Sequence, residues 1–415
     1  MKPRTIIHVP RRFALDEWGG TESVIYNLCR QQRAAGLNPE IHTSRALAST
    51  PAETWRDIPI RRYPYVYPFF GLSAEEKHAL DKKGGNLLSL PLLNNLAWRS
   101  DVRIYHAHVT KRMGATVRTA ARLRKKPFVV TLHGNIFDVP KDEAQSLVAA
   151  QQGHFEWGRP FGLLFGSRHL LERADAVICV GYSEYEAARQ RLPADRVCHL
   201  PNGVEPDNLT GGDGQAARQR LGFGADDFIF GCISRLDPQK NQKLLIDAWI
   251  RVRQQTPNAR LLLCGPATNA DYATELHSLI DASGFANDVR LLPPVEVESA
   301  EHRDLLAALD CFVLASRHEP FGIVVLEAWA TQTPVIASAV GGLQRLVTHE
   351  KTGLHFPSAD TEALATQMNR LLTEPGLAPV LAAAGNAEVH AHYTWQTIAA
   401  QQETIYQQAE ERHRS

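Results

Sequence analysis

Short apolar runs rich in β-branched residues recur along the chain, separated by longer stretches in which apolar residues return every third or fourth position. In the first half the runs fall at 5–9, 39–43, 103–107, 127–132, 176–180 and 197–200, with the clearest helical stretches at 21–34 and 113–124. In the second half they fall at 228–233, 260–264, 289–292, 311–314 and 334–337, and helices are predicted to begin near Asn241, Asp271, Ser299 and Gly322. The runs are apolar without alternation, as strands buried on both faces must be. Strands alternating with helices at this spacing predict βαβ units and parallel sheets. Pro201-Asn202-Gly203-Val204 follows the sixth run, and the polar, glycine-containing stretch 208–215 has the composition of a linker. The expected fold class is therefore α/β: two doubly wound domains, 1–205 and 206–392, with a cleft at the carboxyl ends of the strands. Long helices at 360–372 and 395–408 close the chain.

Composition narrows this little. At 415 residues, 44% hydrophobic and 22% charged, the chain reads as globular and of two or three domains, which excludes disordered, collagenous and coiled-coil classes. No stretch approaches the roughly 18 apolar residues of a spanning helix. Ile6, Ile7 and Val9 are flanked by arginines and do not make a signal peptide. The six cysteines are scattered without a CxxC pair, which favours buried free thiols in a reducing, cytoplasmic compartment over disulfides or zinc. The net charge of zero hides an asymmetry: 29 Lys and Arg face 20 Asp and Glu up to residue 205, and 16 face 25 beyond it. A basic half beside an acidic half points to a phosphorylated ligand or a membrane surface on the first half.

The segment 310–353 carries the most chemistry. After the strand at 311–314 a loop, Ser316-Arg317-His318-Glu319-Pro320-Phe321, turns into a helix opening at Gly322, with Glu327 in its second turn. Free amides of Gly322 and Ile323 at a helix start suit an anion, and Gly322 permits close approach. A phosphate there, with a carboxylate on either side for hydroxyls, matches a nucleotide sugar. Glu319 and Glu327 alone would read more readily as a cap and a solvated helix residue. Arg235 and Lys240 add weight: they project from the loop after 228–233, where doubly wound domains bind ligands, and two cations suit a departing diphosphate. Gly19-Gly20 follows the first strand and opens a helix, and His133-Gly134 follows the strand at 127–132. Taken singly, these two would be an ordinary turn and a packing histidine.

In this order Gly19-Gly20, His133-Gly134, Pro201-Asn202-Gly203-Val204, Arg235 with Lys240-Asn241, Glu319-Pro320-Phe321-Gly322 with Glu327-Ala328, and Pro334-Val335-Ile336 with Val340-Gly341-Gly342 resemble glycosyltransferase family 4, retaining nucleotide-sugar transferases of the GT-B fold. The resemblance runs from residue 4 to about 400. It implies diphosphate ligands at Arg235 and Lys240, a carboxylate for the donor sugar's hydroxyls at Glu319, and one for ribose at Glu327. It implies a histidine over the reacting sugar at His133 and a loop near the distal phosphate at Gly19-Gly20, with Phe321, Gly322 and Ile323 lining the donor site. It also implies that the last helix, about 393–415, completes the first, acceptor-binding domain. Gln332 stands where the family usually has glycine, Arg345 where a glutamate often follows Gly-Gly, and Pro293-Pro294-Val295 replaces a common Gly-x-Val beside the base.

No two of the twenty aspartates are separated by a single residue, so no DxD motif is present, and Arg235 and Lys240 stand where a metal would otherwise act. Metal-independent hexosyl transfer, with no cofactor, from a nucleotide sugar of the UDP-glucose or GDP-mannose type to a saccharide or polyprenyl-linked acceptor is the expectation. Bacterial exopolysaccharide or lipopolysaccharide assembly is its setting, by analogy. Retention without a covalent enzyme intermediate is expected, since no spare carboxylate is evident to act as nucleophile and Asp138, five residues after His133, is the one candidate. Two regions stay open between an acceptor surface touching the inner membrane and plain packing: the aromatic-proline stretch 61–70, and the cluster Arg118, Arg122, Arg124, Lys125 and Lys126. Nucleic acid is not expected, since no recognised module accompanies the charge. An NAD-dependent oxidoreductase would need a GxGxxG that is missing. A catalytically inactive sugar-nucleotide-binding partner subunit remains the alternative.

Overall fold

A computed structural model describes residues 4–82, 84–134, 136–137, 151 and 153–414. The chain forms two compact units, one of residues 1–201 with 395–415 and one of residues 202–394.

In the first unit the strands are β1 (Thr5–Val9), β2 (Asn38–Ser44), β3 (Ala52–Trp55), β4 (Ile58–Tyr63), β5 (Val102–Ala107), β6 (Phe128–Leu132), β7 (Ala176–Cys179) and β8 (Val197–His199). Among the described residues they make one sheet in the order β3-β4-β2-β1-β5-β6-β7-β8, parallel except at the β3–β4 edge. The central strands are buried along their whole length, which is why they read as unbroken apolar runs. Register sets His8 of β1 opposite His106 of β5. The helix Trp395–Arg414 packs on the helix Gly20–Ala34. Arg103 on β5 reaches Glu403 and Glu410 of that last helix at 2.7–3.0 Å, and Gln32 reaches Gln402 at 2.8 Å.

In the second unit β9 (Phe228–Ile233), β10 (Ala259–Cys264), β11 (Val289–Leu292), β12 (Cys311–Leu314), β13 (Val335–Ser338) and β14 (Leu354–Phe356) form a parallel sheet in the order β11-β10-β9-β12-β13-β14. Chain order reverses between β9 and β12, and the loops leaving the carboxyl ends of these two neighbours are where such folds hold ligands. Side-chain caps start the flanking helices: Ser299 accepts from the His302 amide, and Asp360 from that of Ala363. Trp249 and Trp329 are fully buried.

Several expectations need correction. The hairpin β3–β4 and the short β14 lie outside the predicted strands, as does the helix Leu377–His392. The stretch 208–215 is not a free linker. It holds parts of two short helices, Pro206–Leu209 and Gly214–Leu221, and a Cβ on Gly212 or Gly214 would lie 2.2–2.3 Å from the carbonyls of Arg303 and Ala307. That close packing, rather than flexibility, explains Gly212 and Gly214. Most of the aromatic stretch is also structural. Arg61, Arg62 and Tyr63 end β4, and the Tyr65 and Tyr67 hydroxyls both donate to Asp81, at 2.6 and 2.8 Å.

Candidate functional site

In the second unit two loops converge. The loop after β9 is braced by Gln242, which donates to the Arg235 carbonyl at 2.8 Å, and by β10, since Gly265 (φ +148°) leaves only 2.0 Å between a would-be Cβ and the Ser234 carbonyl. Gln239 ties this loop to the one after β12. Its side chain donates to the His318 carbonyl at 2.9 Å and its carbonyl accepts from the Arg317 amide at 2.8 Å. So tied, Lys240 is ion-paired with Glu319, and both side chains are about nine-tenths buried. Ser316 donates to the same carboxylate at 3.4 Å, and the Gly342 amide donates to the Glu319 carbonyl at 2.8 Å. Gly341 (φ +46°) and Gly342 let the turn lie against this loop, with would-be Cβ atoms 2.5 and 2.1 Å from the carbonyls of Glu319 and Pro320. Arg235 is half-exposed, 3.5 Å from Asp237. It is the exposed cation of the two, Lys240 the buried one.

Gly322 adopts φ +98° at the cap of the helix Ile323–Ala330, a left-handed conformation that glycine alone takes without strain. Its position brings a dipole's positive end beside the Lys240–Glu319 pair. Phe321 is buried against Tyr393 and supports the loop rather than lining open space. Ile323 and Glu327 are half-buried. Burial first, then the Glu298 carboxylate, pushes the Glu327 carboxyl up to about 7, with Lys240 opposing. Glu298 was not foreseen; it has φ +63° and accepts from Asn208 at 2.9 Å. Gln332, in a glycine position of the resembling family, has φ +56°, so the backbone demand is present without the residue that meets it most easily.

In the first unit Gly19 caps the helix Gly20–Ala34 with extended φ and ψ. The turn is not simply open to a ligand. The buried Glu22 carboxylate turns back on it, held by Arg12 at 3.7 Å and by hydrogen bonds from the Glu22 and Gly19 backbones. Burial raises its pKa, and these partners oppose that rise. An anion at the turn must compete with Glu22 or draw on Arg12. His133 directly follows β6, and the turn after it is fixed by the buried Glu184, which accepts from the amides of Gly134 (2.8 Å) and Ile136 (3.1 Å). Burial lowers the His133 pKa to about 4. Behind it lie three more buried histidines, His8, His106 and His108. Residue types alone did not single these out, although His106 and His108, two apart at a strand end, share a face and could have been paired by eye. Asp138 lies outside the described residues.

Residues 18–208 match the family model for Glycosyltransferase Family 4, and residues 213–388 that for Glycosyl transferases group 1. A D-inositol 3-phosphate glycosyltransferase of Stackebrandtia nassauensis is 34% identical over 248 residues, 58% of this chain and 55% of the relative. A GDP-mannose-dependent monoacylated alpha-(1-6)-phosphatidylinositol monomannoside mannosyltransferase of Corynebacterium glutamicum is 32% identical over 279 residues, 64% of this chain and 70% of the relative. The chain belongs to glycosyltransferase family 4. It spans about half the length of several of the inositol-phosphate relatives it matches. Among solved structures, Anabaena HepE in complex with UDP is similar at 22% identity with TM-score 0.74, covering 98% of this chain and all of that one, and HepE has also been solved with UDP-glucose. The likeness establishes the GT-B fold. For a family 4 protein the second unit thus carries Arg235, Lys240, Glu319, Gly322 and Glu327 in one place, whereas Gly19, Gly20 and His133 belong to the first. No helix among the described residues is long and apolar enough to cross a membrane.

Proposed function

We propose that this family 4 protein is a retaining, metal-independent glycosyltransferase that moves a hexose from a nucleotide sugar to a saccharide or lipid-linked acceptor. The observation that carries the reading is the buried Lys240–Glu319 pair beside the Gly322 helix start, with Glu327 one turn along. Lys240, Arg235 and the amides at the helix start bind the diphosphate and meet the charge that grows as the sugar leaves, each such donor contributing roughly 2.7–4 kcal/mol. Glu319 accepts hydroxyls of the sugar and Glu327 those of ribose, while His133 keeps the role that the resemblance gives it. A UDP-glucose or GDP-mannose type of donor is supported by HepE, solved with UDP-glucose, and by the GDP-mannose-dependent C. glutamicum relative. The arginine and lysine, not a divalent ion, neutralise the diphosphate. On this reading the leaving diphosphate takes the acceptor's proton on the face it departs from, so no carboxylate nucleophile is needed.

Transfer assays with UDP-glucose and GDP-mannose, run with a chelator and with proton NMR of the product, test this. Retained α configuration and a rate unmoved by chelator are expected. An inverted product or chelator-abolished transfer overturns the mechanism, and donor binding without hydrolysis or transfer would make the chain a sugar-nucleotide-binding partner subunit instead.

We infer further that the acceptor side works at the cytoplasmic face of the inner membrane, in exopolysaccharide or lipopolysaccharide assembly. The helix Lys111–Arg124, bearing Arg118, Arg122 and Arg124, packs against the helix Arg159–Leu164, whose Leu163 and Leu164 are 66% and 72% exposed. Exposed apolar side chains beside arginines suit an anionic lipid interface. The cysteines Cys29, Cys179, Cys198, Cys232, Cys264 and Cys311 are free thiols, in keeping with a reducing compartment. Co-sedimentation with vesicles containing phosphatidylglycerol, lost on Leu163→Glu with Leu164→Glu, is expected; equal binding to neutral vesicles counts against it.

A further inference from the structure

Four buried or half-buried histidines in the first unit form a line that the proposed chemistry does not by itself use. His133 Nε2 lies 3.1 Å from His108 Nδ1, His108 Nε2 lies 3.0 Å from His8 Nδ1, and His8 Nε2 lies 2.9 Å from Gln32 Oε1. Gln32 in turn donates through Nε2 to Gln402 at 2.8 Å, and at 3.4 Å to the hydroxyl of Tyr406, both on the last helix. His106 packs against His108, ring centroids 4.2 Å apart and planes tilted by 31°. Both its nitrogens are engaged, by the Tyr406 hydroxyl and the Thr131 hydroxyl, each at 2.7 Å. That engagement removes His106 as a ready metal ligand and leaves it a wall of the line.

A neutral imidazole has one donor nitrogen and one acceptor nitrogen. Burial lowers the pKa of all four rings: to about 4 at His8 and His133, and well below the usual value at His106 and His108. A chain of neutral imidazoles bonded nitrogen to nitrogen must therefore run in one direction throughout, and the group at its end decides which. Here the end group is a carbonyl oxygen. Gln32 Oε1 can only accept, so the proton is on His8 Nε2. His8 Nδ1 then accepts from His108 Nε2, and His108 Nδ1 accepts from His133 Nε2. His133 is left with its proton on Nε2 and its lone pair on Nδ1. We propose that Gln32 is a positioning residue that fixes the tautomer of His133 through the head-to-tail chain His133–His108–His8–Gln32. The chain stands on this geometry alone; its bearing on catalysis rests on the transferase reading, in which His133 serves the reacting sugar.

The test uses the full chain with 15N-labelled histidine. Long-range proton–nitrogen correlation spectra report which ring nitrogen carries the proton, and a His133→Asn sample assigns the His133 signals. In the wild type His133 is expected to be protonated on Nε2. Gln32→Leu removes the terminal acceptor, and the His133 tautomer should become mixed or reverse. Gln32→Glu keeps an oxygen acceptor toward His8 and, with the Gln402 amide turned over, takes a bond from the buried Gln402 Nε2, which has no partner among the described residues; it should preserve the wild-type tautomer. In transfer assays Gln32→Leu should lower kcat about ten- to hundredfold, the range for loss of an outer-shell orienting partner, with donor KM held and Gln32→Glu restoring the rate. A wild-type His133 protonated on Nδ1, or one whose tautomer is the same in Gln32→Leu, overturns the chain, and the wild-type spectrum decides even if a variant does not fold. The expected tautomers in a protein that transfers no sugar would sink the transferase reading and leave the chain standing.

Discussion

Two cations at one site behave differently because their burial differs. Arg235 is half-exposed, so Arg235→Ala should lower transfer by about two to three orders of magnitude with little change in thermal stability. Lys240 sits opposite Glu319 in a nearly buried pair, and its removal strands a carboxylate. Lys240→Ala should lose activity and also cost about 3 kcal/mol, seen as a lower Tm, with Lys240→Ala/Glu319→Gln recovering part of the stability but none of the rate. Equal melting of Arg235→Ala and Lys240→Ala would contradict this division. Glu327 titrates about 7 when folded, against an ordinary 4.5. Between those values the folded state holds a proton that the unfolded chain has released, so this group's contribution falls as pH rises through the window. Glu327→Gln should remove that fall, becoming more stable relative to wild type at pH 8 than at pH 5 by on the order of 2 kcal/mol in urea titrations. The same offset at both pH values would assign Glu327 an ordinary pKa.

Strands that bury both faces were readable as unbroken apolar runs; the edge strands and one interrupted helix were not. β1, β9 and β12 appear as bare apolar runs at the residues where the structure has them. β3 alternates exposed and half-buried positions at a sheet edge, and β4 carries Pro59, Arg61 and Arg62, so neither looked like a strand. The helix Leu377–His392 was hidden by Pro379 and by Gly385. The glycine is there because a Cβ would stand 2.3 Å from the Trp329 ring. Within the site, the loop after β12 and its helix start were legible because motif order carries them. The Glu184 and Glu298 carboxylates were not, since each acts on residues that only folding brings close. The turn at Gly341 was read as part of a motif, and the structure supplies its reason. Gly341→Ala drives a methyl into the Glu319 carbonyl at a left-handed φ, and should cost about 1–2 kcal/mol and lower kcat/KM roughly a hundredfold by displacing Glu319. Donor calorimetry indistinguishable from wild type would mean that the loop tolerates the shift.

At the scale of the whole chain, the second unit is one continuous stretch, 202–394, while the first is built from both ends of the sequence. The last helix gives the first unit Gln402 and Tyr406, both buried, and the carboxylates that grip Arg103. A protein ending at Thr394 should therefore keep a protease-resistant second unit and lose protection across the first, as mapped by limited proteolysis and mass spectrometry; first-unit peptides protected as in the full chain would show the helix to be dispensable. The arrangement also sets an order of events on the ribosome. Synthesis proceeds from the amino terminus at about 5–20 residues per second, and domains fold as their sequence emerges. Residues 202–394 are all available while the sheet of the first unit still lacks the helix that packs on β6 and β7. The histidine line cannot acquire its Gln32–Gln402 end until that moment. The unit that begins first is completed last.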